Sequence, residues 1–156
     1  MPSLEPVDES FFERAAQRFS HTWSITQPAE VVWGELVGEE PLHWCRGLSI
    51  RWTSPRPFGV GTTRAARAFG GLSGGEEYFF IWEEGRRYAF YFTRANLPVF
   101  TSLAEDYLVE PDGAGGCRFT WRIGVTPSLL GKPAAPLNKL LFASFFRDTG
   151  RYFNAS

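Results

Sequence analysis

The sequence predicts an α+β fold: one strand, two short helices, a run of about six antiparallel strands and a long C-terminal helix. Three observations carry this reading. Apolar side chains recur at every second position through 18–26 and again through most of 48–125. Glycine and proline interrupt the second region at intervals suited to hairpins. Beyond Pro133 and Pro136 the period becomes helical. Strands followed by a segregated helix pack as two layers, with the helix covering one face of the sheet.

The elements follow in chain order. Ser10 and Glu13 have capping-box spacing around Phe11-Phe12, which predicts a short helical turn ahead of the first strand. Between Arg18 and Thr26, Phe19, His21, Trp23 and Ile25 share one side, and Ser20, Thr22 and Ser24 the other. Pro28 opens a helix whose apolar face is Val31, Val32, Trp33, Leu36 and Val37. Gly38 and Pro41 end it, and a second short helix is expected around Leu42 to Cys45. Strands are expected over Leu48–Trp52 and, after the break at 55–61, over Thr62–Phe69. A glycine-rich loop at 70–75 leads to the strand Glu76–Trp82, and Glu84-Gly85 turns the chain into Arg87–Thr93, with Tyr88, Phe90 and Phe92 on one face. Leu103–Val109 and Cys117–Val125 complete the meander. The final segment, 137–146, carries an apolar stripe at 137, 141 and 145 flanked by 140, 142 and 146, so the helix is expected to be buried along most of its length.

Length and composition narrow the function. A chain of 156 residues is the size of one domain, taken as 1–156. Aromatic residues make up 17% of it, more than packing alone requires, and surplus rings often line a pocket. Sixteen basic and seventeen acidic residues give a formal charge of −1, with the basic ones scattered. That argues against a nucleic-acid surface and against a polybasic membrane patch. The first eighteen residues carry Glu5, Asp8, Glu9 and Glu13, and no apolar run is long enough to span a bilayer. A cytoplasmic protein with free thiols at Cys45 and Cys117, and no integral membrane association, is expected.

Familiar motifs fail on context. Gly71-Leu72-Ser73-Gly74-Gly75 matches a nucleophile elbow as a string, yet a strand follows it and both histidines precede it. Gly59-Val60-Gly61 lacks the third glycine of a dinucleotide fingerprint and leads into a strand. His21, His43 and Cys45 have no further ligands at metal spacing. No catalytic residue, metal or cofactor is predicted.

Three segments together resemble a known group: I-x-x-P-A-E-x-V-W at Ile25 to Trp33, P-x-G-V-G-T-x-R at Pro57 to Arg64, and W-x-E-G-R-R-Y-A-F at Trp82 to Phe90. Their order and spacing resemble the bacterial polyketide cyclase-like proteins of the SRPBCC (START/Bet v 1-like) superfamily. The resemblance implies a helix-grip fold, in which a curved antiparallel sheet of about seven strands wraps a long C-terminal helix and leaves a tunnel. It also implies binding or transport of hydrophobic ligands and, in some members, cyclisation of polyketide-like substrates.

The candidate site follows from which side chains face inward. Arg64 alternates with Thr63 and Ala65, and Glu105 and Tyr107 share a face with Leu103 and Val109. Either Glu76 or Glu77 faces the same interior, with Glu77 favoured. Arg64, Glu77, Glu105 and Tyr107 are therefore expected to orient a ligand among the apolar walls of Trp52, Phe90, Phe92, Trp121 and Phe142, in a cavity of roughly 300–1,000 Å³. A structural ion pair between Arg64 and a glutamate accounts for the same charges equally well. The function expected is binding of a lipid, polyketide or aromatic metabolite. One alternative is a cyclase or dehydratase using the carboxylates as general acid and base, and another is a ligand-free interaction module. Homodimerisation through an edge strand is possible.

Overall fold

The computed structural model describes residues 1–155. Seven strands form one curled antiparallel sheet: β1 (Gln17–Ile25), β2 (Leu48–Trp52), β3 (Thr63–Ala68), β4 (Ser73–Glu83), β5 (Arg87–Ala95), β6 (Phe100–Pro111) and β7 (Cys117–Pro127), in the order β1-β7-β6-β5-β4-β3-β2. The helices are α1 (Phe11–Arg14), α2 (Ala29–Leu36) and α3 (Ala135–Tyr152). The first strand pairs with the last, Phe19 opposite Ile123 and Trp23 opposite Phe119, which leaves β1 and β2 as the edges. This is the helix-grip arrangement: α3 lies across the concave face, where Phe142 meets Phe19 at 5.1 Å between ring centroids.

Two bulges interrupt the β4–β5 pairing: Thr93 of β5 is the extra residue opposite Glu76 and Glu77, and Phe80 of β4 is the extra residue between Phe79 and Ile81, where it shifts the alternation of β4. Glu77, Phe79 and Trp82 belong to the concave side, whereas Phe80 and Ile81 pack together on the convex one. Bulged strands bend, and the bends help the sheet curl around its helix.

The convex face has its own cover. Phe11 and Phe12 of α1 are buried against Ala89 and Ala104, and a side chain at Gly124 would collide with the Phe11 ring at 2.8 Å. Small residues on three adjacent strands thus make room for one ring. Asp106 locks the cover in place: its two oxygens take Arg87 Nε at 2.8 Å and Arg122 Nη2 at 2.7 Å. The same arginines reach Glu9 at 2.9 Å and Glu13 at 3.0 Å.

Four local expectations differ. The capping box does not form, because the Ser10 hydroxyl bonds to Asp8 and Arg14 instead. The expected second helix at Leu42 to Cys45 is a single hydrogen-bonded turn. The 70–75 loop is shorter than expected: Gly74 and Gly75 already pair with Arg67 and Ala66 in the sheet. Finally, α3 is rolled away from the predicted face. Asn138, Phe142, Phe145 and Thr149 point inward, while Leu137 and Leu140 stand 67% and 68% exposed.

Candidate ligand cavity

Strand register assembles the site. Arg64 on β3 lies directly opposite Glu77 on β4, and the next inward pair on the same strands is Ala66 and Gly75. A cross-strand pair of this kind brings side chains within reach; beside it, Gly75 admits the Phe92 ring, which comes within 2.5 Å of where a Cβ would stand, and Ala66 is small. Tyr107 is paired with Tyr88 on one side and Trp121 on the other. Glu105, two residues before Tyr107, shares its face by strand periodicity.

The result is a pocket of about 100 Å³ between the concave sheet and α3. Its polar groups are few. Arg64 Nε donates to Glu77 Oε1 at 2.7 Å, and Nη2 lies 2.7 Å from the same oxygen but poorly aligned for a hydrogen bond. Arg64 Nη1 is buried and makes no well-aligned hydrogen bond, although the Tyr88 oxygen lies close to the guanidinium. The guanidinium is packed among rings, its carbon 4.6 Å from the centroid of Phe90, 5.1 Å from that of Phe79 and 5.2 Å from that of Trp52. Such contacts offset part of the desolvation of a buried cation. Glu105 Oε1 accepts from both the Tyr107 hydroxyl and Trp121 Nε1, each at 2.8 Å.

Burial sets the charge states. It pushes the Glu105 carboxyl up to about 7, reinforced by the nearby Glu77 charge and only partly opposed by Tyr107 and Arg64. Burial also raises Glu77, while Arg64 acts to keep it ionised. Desolvation works against the Arg64 charge, but Glu77 and the oxygens of Tyr88 and Tyr107 outweigh it and raise the arginine above its ordinary value. Burial and the Glu105 charge hold the Tyr107 hydroxyl protonated. At neutral pH the pocket therefore contains a closed plus–minus pair and a second carboxyl divided between its acid and its anion.

Eight of the nine residues anticipated from sequence line this pocket: Arg64, Glu77, Phe90, Phe92, Glu105, Tyr107, Trp121 and Phe142. Trp52 does not. It lies behind Arg64, stacked 4.2 Å from Phe58, with Nε1 bonded to the Gly38 carbonyl at 2.7 Å. Glu77 alternates with the buried Gly75 and Phe79 and so lies inside (2% exposed), which leaves Glu76 in solvent. Leu42, Ile50, Leu103 and Phe145 also line the wall and were not anticipated. The 300–1,000 Å³ expectation is too large, because rings fill the concave side: Tyr107 packs 4.9 Å from Trp121 and 4.9 Å from Tyr88. What remains open lies between the small Ala66 on β3 and the α3 side chains Leu141, Phe142 and Phe145.

A helix-grip shell around a small apolar pocket with a buried arginine defines the class of protein. Residues 16–154 match the polyketide cyclase/dehydrase and lipid transport family, and the chain belongs to that family. It is 36% identical to an uncharacterized protein of Mycobacterium tuberculosis over 99% of this chain and 95% of that one. Among solved structures it is similar to a START superfamily protein from Mycobacterium smegmatis (TM-score 0.68, 13% identity, 86% of this chain and 92% of that one). The XoxI protein of Bacillus cereus superposes with TM-score 0.67 at 18% identity, covering 87% and 94%. The ginseng major latex-like protein 151 from Panax ginseng superposes with TM-score 0.63 at 17% identity, covering 88% and 97%. The α1 cover of the convex face precedes the matched residues.

Proposed function

We propose that the chain binds a small, uncharged, oxygen-bearing apolar molecule in this pocket. One observation carries the reading: Arg64 Nη1 is a buried donor with no well-aligned hydrogen bond, in a pocket otherwise walled by rings and aliphatic groups. Leaving such a donor unpaired costs about 1–3 kcal/mol, which a ligand oxygen would recover.

Volume and charge narrow the ligand. A cavity of ~150 Å³ holds benzene, so a pocket of about 100 Å³ admits one ring only if α3 or a lining side chain yields, and has no room for an acyl chain. The Arg64 charge is already neutralised by Glu77 at 2.7 Å. A ligand carboxylate would add an unpaired buried negative charge beside two glutamates, and such charges are expensive to bury. A ketone, lactone or phenol adds none. The favoured ligand is thus an aromatic metabolite carrying a carbonyl, with a hydroxyl placed to meet Glu105.

Titration of the purified protein with 2′-hydroxyacetophenone, salicylate and ethylbenzene tests this. The ketone is expected to bind most tightly at pH 8. No saturable binding by any of the three, or a preference for salicylate, would contradict it.

A second reading, as a cyclase or dehydratase, is favoured by Glu105 alone: a carboxyl near 7 is matched to general acid and base work at neutral pH. Turnover of a β-hydroxyketone that disappears in Glu105→Gln supports that reading, and turnover unchanged in the variant removes it.

A further inference from the structure

We infer that the end of the sheet around the pocket mouth docks onto an anionic lipid bilayer. Three connections meet there: β3–β4, β5–β6 and β7–α3. They are joined into one rim. Asn96 Nδ2 donates to the Leu72 carbonyl at 3.2 Å and its Oδ1 accepts from Gly74 N at 2.7 Å, while Ser128 Oγ donates to the Pro98 carbonyl at 2.7 Å. The pocket is bounded at this end by Arg67, Ala68, Ser73 and Gly74 on one side and Phe100 and Leu141 on the other.

The rim is apolar where it is most exposed. Phe69, Leu72, Leu129, Leu130, Leu137 and Leu140 are between 57% and 83% exposed. Exposed apolar side chains gathered at one place mark an interaction surface, whereas singly scattered ones do not. Their chemistry selects the partner. Segments 63–75, 94–104 and 126–140 contain no Asp or Glu, yet they carry Arg67, Arg94, Lys132 and Lys139, all exposed. Among the described residues none of these four cations has a carboxylate partner. In the sequence these cations look scattered; the fold gathers them at one end.

A protein partner would meet a mixed surface, with polar groups at its rim. Projecting loop tips that carry exposed leucines, flanked by four cations against the two carboxylates Glu5 and Glu76 beside Thr101 and Arg94, instead match the acyl boundary and headgroup layer of an anionic membrane. The rolled orientation of α3 acquires a purpose here. Its inner face closes the pocket through Phe142 and Phe145, and its outer Leu137 and Leu140 belong to the docking rim. With the mouth inside the rim, an apolar ligand passes between bilayer and pocket without crossing bulk water.

The test uses the full chain without added ligand, so its failure leaves the pocket reading intact. Co-sedimentation is measured with phosphatidylcholine vesicles with and without phosphatidylglycerol. Binding is expected to the anionic vesicles, to weaken with salt, and to fall about fivefold for each cation removed in Lys132→Ala and Lys139→Ala. Leu129→Asp with Leu130→Asp is expected to abolish it while leaving the thermal melt unchanged, since both side chains are in solvent. No sedimentation with anionic vesicles, or sedimentation unaffected by the aspartates, overturns the inference. So does a concentration-dependent dimer that the same aspartates dissolve, because the rim would then face a second copy of this chain.

Discussion

Arg64 and Glu77 face each other across β3 and β4 with 2.7 Å between Nε and Oε1, both side chains out of solvent, and the pairing leaves Nη1 of the arginine without a well-aligned hydrogen bond. One contact thus has two consequences. It neutralises a charge that could not otherwise be buried, and it leaves part of the guanidinium of a pocket-lining residue without a hydrogen bond.

Breaking the pair one partner at a time is therefore expected to be severe. Arg64→Met leaves Glu77 buried and alone, for a loss of about 3–5 kcal/mol in chemical denaturation. Arg64→Met combined with Glu77→Leu is expected to recover most of that loss, because no charge remains in the apolar interior. A double variant as unstable as the single one would show that the pair is more than mutual neutralisation.

Stability is also expected to depend on pH through Glu105. Its folded-state pKa, about 7, lies above its ordinary value of 4.5, so the folded chain binds the proton more tightly than the unfolded one. The contribution of the protonated acid is complete below pH 4.5. It is lost as pH rises toward 7, by about 3 kcal/mol in total, and is flat beyond that. Urea melts from pH 4 to 8 should show this fall superimposed on other titrations, and Glu105→Gln should remove it. An unchanged pH profile in the variant would contradict the assignment.

The N-terminal cover yields a prediction separate from the pocket. Phe11 is 1% exposed against Gly124 and Ala104 on the convex face. Phe11→Ala is expected to destabilise by about 3–5 kcal/mol, as for other buried phenylalanines, without changing ligand affinity at a temperature where the variant is folded. A shift below about 1 kcal/mol would mean that α1 adds little to the sheet.

How much of this was legible from residues depends on the kind of signal. Two-residue alternation placed six strands after the first and pointed Arg64, Glu105 and Tyr107 inward, because sheet geometry obliges successive side chains to opposite faces. Glu77 over Glu76 could not be settled that way, since Phe80 is bulged: counting back by twos from Trp82 turns Glu76 inward, and counting back from Phe79 turns Glu77 inward. Nor could the face of α3: leucines at 137 and 140 read as core by hydropathy, but the fold turns Asn138 inward instead. The α1 cover left no periodic trace. Its socket consists of Ala89, Ala104 and Gly124, small residues on three different strands that only pairing brings together. Gly75 was misread for a related reason. It sits inside a strand because Phe92 leaves no room for a Cβ, 2.5 Å from where one would be.

The most direct test of a ligand-accepting pocket is the indole N–H resonance of Trp121, which bonds Glu105 at the pocket wall. Titration of 2′-hydroxyacetophenone into isotope-labelled protein is expected to give a saturable shift of Trp121 Nε1–H, together with the Arg64 Nε–H signal. The indole signals of Trp44 and Trp52, whose N–H groups bond to Thr149 and Gly38 away from the pocket, should stay in place. Saturable binding that moves Trp44 or Trp52 and leaves Trp121 and Arg64 unshifted would place the ligand elsewhere and contradict the account.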